Sequence, residues 1–174
     1  ILNLKGDFIE GDLKPSSDTM THCVMYNNWH NINSICHTHS TYAVGWGQSL
    51  LSVPVLGTTH ADYSPVAIPC VQPMSDKMIK KDYEINTGIQ IIDYFKKHNL
   101  NPDKLEMTLV GSHGPFTWGK NEFKSVYNSK MLEEICKISF ITKLINPNIG
   151  SIKKTLINKH YDRKHGKDSY YGQN

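Results

Sequence analysis

No apolar run in this 174-residue sequence approaches the roughly 20 residues needed to cross a bilayer, so no membrane span is expected. Charge of one sign is scarce too. The 19 Lys and Arg against 16 Asp and Glu leave +3, which gives little support to a nucleic-acid partner. Cysteine is limited to Cys23, Cys36, Cys70 and Cys136, without a CxxC pair or a dense framework. Reduced, mostly buried thiols and a reducing, cytoplasmic compartment are therefore expected. Internal repeats, low-complexity tracts and a second domain are also absent. What is present, 39% hydrophobic and 20% charged residues, suits one globular domain with a real core. The chain opens on Ile1, and "ILNLKGDFIEGDLKPSSD" reads like the middle of a protein, so a preceding segment is expected.

The pattern along the chain alternates strands with helices. Residues 4–10 read as an edge strand, and Pro15, Ser16, Ser17 and Asp18 as the entrance of a helix running to about Asn27. "SICHT" (34–38) reads as a strand, 40–51 as a helix or irregular turn, and "VPVLG" (53–57) as a short strand. Ile89, Ile92 and Phe95 recur near helical spacing in 86–99, with lysines toward the end where the helix dipole favours cations. "EMTLVGSHGPF" (106–116) is a strand entering a Gly/Pro turn. Residues 121–145 form the longest helix, with Leu132, Ile135, Cys136 and Phe140 on one stripe and Ile138, Ile141 and Ile145 on another. Apolar residues on more than one face predict burial between layers or subunits. A last helix covers 150–164. The sum is an α/β layered fold, a central sheet flanked by helices.

"CHTHS" (36–40) carries the chemistry. Side chains alternate along a strand, so His37 and His39 project from one side, about 6.6 Å apart. From there two imidazoles can converge on a metal at about 2.0–2.1 Å from each nitrogen. Catalytic zinc takes three protein ligands and keeps a place for water or substrate. The third can come from His22, His30, His60, His98, His113, His160 or His165; His113, in "GSHGPF", is best placed. Asp18 can add an oxygen ligand or orient one. His22 reads as structural, His30 and His98 as solvated, and Trp29, Trp46 and Trp118 as core or interface.

Several stretches together resemble the L-ribulose-5-phosphate 4-epimerase family, within the class II aldolase group that shares its fold with the adducin head. They are "KPSSDTMTH", "HTHS", "GTTHADY", "IPC", "YEINTG", "SHGPFTWGKN", "LEE" and "KHYDRKHGKDSYYGQ", in order across almost the whole chain. "HTHS" and "SHG" are shared by the wider group, whereas "GTTHADY" and the C-terminal run are narrower. The resemblance implies a Zn²⁺ site, or one for another divalent cation, with His37, His39 and His113 as ligands and Asp18 as a carboxylate at the metal. It implies that Ser16 and Ser17 hold a substrate phosphate and that Asp62 and Tyr171 are the acid/base pair. It also implies a homotetramer with active sites at subunit interfaces, where the tyrosine comes from a neighbour. The family's N-terminal strands and phosphate loop have no counterpart here. Thr41, Tyr42 and Gly111 stand where the family often carries basic residues or a histidine.

The implied substrate is a phosphorylated ketopentose, inverted at carbon four. That hydrogen is not acidic, because carbon four is not adjacent to the carbonyl, so retro-aldol cleavage between carbons three and four is the expected route. The released aldehyde must rotate, and a different group must act on each of its faces. Two alternatives follow from the same group. One is an aldolase that releases its aldehyde. The other is a non-catalytic module like the adducin head, which predicts lost ligands where this chain retains them.

Overall fold

The computed structural model describes residues 1–171; Gly172 and Gln173, the end of the C-terminal motif, lie outside the described residues. The helices are α1 (Thr19–Asn28), α2 (Thr41–Gln48), α3 (Thr58–Ala61), α4 (Asp76–Lys80), α5 (Tyr83–Lys97), α6 (Glu122–Ile145) and α7 (Lys154–His165). The strands are β1 (Ser34–His37), β2 (Cys70–Val71), β3 (Met107–Val110) and β4 (Pro115–Gly119). They form a mixed sheet in the order β1-β4-β3-β2, parallel only between β2 and β3.

Strand β4 shows how the layers arise. Successive side chains point to opposite faces. Thr117 donates its hydroxyl to the Ser125 carbonyl on α6 at 2.9 Å, while Phe116 and Trp118 face α1 and α5. Trp118 packs on Trp29 and Phe95, with ring centroids 4.8 and 5.5 Å away. Its indole N–H donates to the Pro102 carbonyl at 2.9 Å, so a large buried aromatic leaves no unpaired donor. Gly88 permits the close approach of α5 to α1, because a Cβ there would lie 2.7 Å from the Val24 Cβ. The result is an α/β class of fold with helices on both faces of the sheet.

Several expected elements differ. Residues 4–10 contribute only an isolated Leu2–Phe8 bridge, and 53–57 only the Val53–Ile68 bridge. The first segment closes turns on itself, with the Ile9 N–H donating to the Ile1 carbonyl, whereas in the second Val53 exchanges bonds with Ile68 and the Val55 carbonyl accepts from the Ile152 N–H. Strand β1 ends at His37 and not at Thr38. The turn after β3 leads straight into β4, a strand that Pro115 disguised as loop. The last helix begins at Lys154. On α6, Leu132, Ile135 and Cys136 are buried, but Phe140 and the second stripe of Ile138, Ile141 and Ile145 are exposed in the single chain. All four cysteines are free, with Cys23, Cys70 and Cys136 buried. Among the described residues, no helix is long and apolar enough to cross a membrane.

Candidate metal centre

His37 closes β1 opposite Phe116 of β4. Its ring stacks on Phe116, with centroids 4.1 Å apart and planes inclined by 18°. Its Nδ1 lies 2.9 Å from the Pro115 carbonyl oxygen. A carbonyl only accepts, so Nδ1 carries the proton and Nε2 keeps a free lone pair.

His113 sits between β3 and β4, in a turn closed by a bond from the Val110 N–H to the Gly114 carbonyl at 2.9 Å. The left-handed residue of this turn is Ser112, with φ 60°, not the glycine that the sequence pattern emphasises. Gly114 matters for space. A Cβ on it would lie 2.8 Å from the Thr38 carbonyl oxygen and 3.3 Å from the His37 Cε1. Tyr83, at the start of α5, places its hydroxyl 3.5 Å from the His113 Nδ1, on the ring edge away from the cluster.

His39 lies past the end of β1, so strand alternation does not place it beside His37; the backbone between β1 and α2 does. Its Nε2 is 3.1 Å from the His37 Nε2. One nitrogen each from His37, His39 and His113 lie within 4.8 Å of one another. Three imidazole nitrogens around one zinc ion stand about 3.4 Å apart. The donor set therefore fits a divalent cation, and imidazole nitrogens suit zinc among the transition metals.

Asp18 stands at the N-terminus of α1, where its side chain makes no capping bond. Its carboxylate instead faces the cluster, 3.9 Å from the Nε2 of both His37 and His113. Ser16 and Ser17 are beside it: the Ser16 hydroxyl accepts from the Asp18 N–H at 3.2 Å, and the Ser17 hydroxyl donates to the Asp18 carboxylate at 3.4 Å. Burial lowers the pKa of His37 and His113, outweighing the nearby Asp18 charge. Burial, followed by the His37 charge, also lowers that of His22. The shift favours the neutral, proton-free form of His37 and His113, the form that a metal requires of a ligating imidazole. His30 and His98 are exposed, as expected.

Asp62 and Tyr171 belong to a second cluster. Asp62 follows α3, and its carboxylate accepts from the Arg163 guanidinium at 3.0 Å on each oxygen and lies 3.1 Å from the His160 Nδ1. Lys164 adds a second cation at 3.7 Å. Burial alone would raise the Asp62 carboxyl, but the bonds from Arg163 and His160 outweigh it and hold the group below the usual carboxylate range. The Tyr171 ring covers Arg163 at 4.2 Å, and its N–H donates to the Arg163 carbonyl at 3.0 Å. Among the described residues no hydrogen bond or ion pair joins this cluster to the three histidines.

Sequence reasoning passed over Pro115, Tyr83 and Arg163. Pro115 acts through its carbonyl, which no side-chain pattern reveals. Tyr83 and Arg163 were legible only as letters within "YEINTG" and "KHYDRKHG".

A family model described as Class II Aldolase and Adducin N-terminal domain matches residues 1–140. An L-fuculose 1-phosphate aldolase superposes with a TM-score of 0.72 at 16% identity, covering 93% of this chain and 69% of its own. For YgbL from Escherichia coli the TM-score is 0.66 at 22% identity, with 91% and 70% covered. For the L-fuculose 1-phosphate aldolase from Glaciozyma antarctica PI12 it is 0.70 at 15% identity, with 97% and 61% covered.

Proposed function

Because this chain belongs to the class II aldolase and adducin N-terminal domain family, we propose that it is a zinc-dependent epimerase interconverting L-ribulose 5-phosphate and D-xylulose 5-phosphate. The observation that carries the proposal is the convergence of His37, His39 and His113 beneath the Asp18 carboxylate. Family members act on phosphorylated sugars with a divalent metal, and the three imidazoles supply its ligand set. A cation held there provides Lewis-acid stabilisation of the negative charge that develops on the ketose oxygens, an effect of several kcal/mol.

The remaining work falls to the chain's own groups. Ser16 and Ser17, exposed ahead of α1, hold the substrate phosphate through hydroxyl and N–H donors, assisted by the helix terminus. That anchor keeps the cleaved aldehyde in place while it rotates. Asp62 and Tyr171 then exchange protons with the carbon-four oxygen from opposite sides, each the base for one epimer and the acid for the other. In a homotetramer, Tyr171 reaches the histidines of a neighbouring copy.

Retention of "GTTHADY" and the C-terminal run favours the epimerase over an aldolase. A product assay on the zinc-loaded protein with L-ribulose 5-phosphate tests this. D-xylulose 5-phosphate is the expected product. Accumulation of free dihydroxyacetone identifies an aldolase instead, and no turnover with an intact metal site returns the chain to an interaction role.

A further inference from the structure

We propose that Glu133 is a positioning residue for the metal centre: from α6 it clamps the first turn of α2 and so sets where His39 stands. The inference rests on the metal-centre reading above.

The three histidines are not held alike. His37 is fixed by strand pairing and by its bond to the Pro115 carbonyl, and His113 by its turn and by Tyr83. His39 is exposed, and among the described residues its only ring hydrogen bond is to His37. Its position must come from the backbone on either side. The preceding side ends in β1. The following side begins α2 two residues later, and this helix start lacks a local cap. Ser40 occupies the N-cap position with extended backbone, yet its side chain makes no capping bond.

Glu133 supplies what Ser40 does not. One carboxylate oxygen accepts from the Tyr42 N–H and the other from the Ala43 N–H, both at 2.9 Å. Free N–H groups of a first turn carry partial positive charge, so a two-oxygen carboxylate is a well-matched partner. Glu133 stands on a stretch of α6 anchored in the core, where its helix neighbours Leu132, Ile135 and Cys136 are buried. One turn along α2, the Trp46 indole donates to the Cys136 carbonyl at 3.0 Å, a second tie between the same helices that does not touch the first turn.

The test compares zinc affinity, by competition with a chromogenic chelator, and metal-free melting temperature across four proteins. These are the unaltered chain, Glu133→Ala, Glu133→Gln and Trp46→Phe. Outer partners of a ligand typically influence metal affinity about 10–100-fold. Glu133 acts at one remove, through the α2 backbone, so Glu133→Ala is expected to weaken zinc binding at the low end of that range, about 10-fold. Glu133→Gln, which keeps the length and one acceptor oxygen, falls between. Trp46→Phe lowers the melting temperature and leaves zinc affinity unchanged. Unchanged affinity in both Glu133 variants overturns the proposal, whatever their melting temperatures. So does an equal loss in Trp46→Phe, which would mark general loosening. If the unaltered chain binds no zinc, the metal-centre reading falls and this inference with it; if it binds zinc and the variants match it, this inference alone falls.

Discussion

The Asp62 carboxylate and the Arg163 guanidinium meet through bonds of 3.0 Å to both oxygens, across about a hundred residues of chain. Arg163 also underlies the Tyr171 ring. One cation thus ties the two proposed acid/base groups.

Tyr171→Phe removes only a hydroxyl, and the ring keeps its place over Arg163. The protein is expected to stay folded and zinc-loaded while turnover falls about 10²–10⁴-fold, the usual share of a positioned acid or base. Steady-state kinetics beside zinc content check this; unchanged turnover removes Tyr171 from the mechanism.

Gly114→Ala forces a methyl group to within 2.8 Å of the Thr38 carbonyl and 3.3 Å of His37. A loss of about 1–3 kcal/mol is expected, together with weaker zinc binding. Gly45, exposed in α2 with nothing within 4 Å of its added Cβ, is the control. Gly45→Ala should stabilise by about 0.5–1 kcal/mol. Urea unfolding measures both, and equal effects would show that the tight packing around His37 is not what matters.

His60 is buried, and burial pushes its pKa down to about 4 from an ordinary value of 6.5. Its Nε2 lies 3.1 Å from the Val66 carbonyl. In the unfolded chain the ring takes a proton near pH 6.5, but in the folded protein only near pH 4. Stability is therefore full above pH 6.5 and declines as pH falls through this window, by roughly 3 kcal/mol at the low end. His60→Gln keeps a donor for Val66 but does not titrate. Its unfolding free energy should fall less steeply between pH 7 and 4.5 than that of the parent, and parallel slopes would contradict the assignment.

How much of this was legible beforehand varies by residue. The main helices and the strands around His37 and Met107 follow from hydrophobic period and turn residues, which are local signals. The pairing of His37 with His39 was anticipated on a strand that in fact stops at His37; the rings converge because α2 starts where it does. Asp18 was placed at a helix start by its neighbours, but its carboxylate turns away from the cap toward the histidines. Tyr83, Glu133 and Arg163 act on groups tens of residues away, and no spacing in one sequence encodes such contacts. The exposed stripe of α6 was expected to be buried between layers or subunits, which a lone chain leaves uncovered.

Zinc stoichiometry with X-ray absorption of the bound metal tests the central assignment most directly. One zinc per chain, held by imidazole nitrogens in the unaltered protein and lost in His39→Ala together with epimerase activity, is the expected result. Full zinc content and normal turnover in His39→Ala, or a metal shell without imidazole, would contradict it.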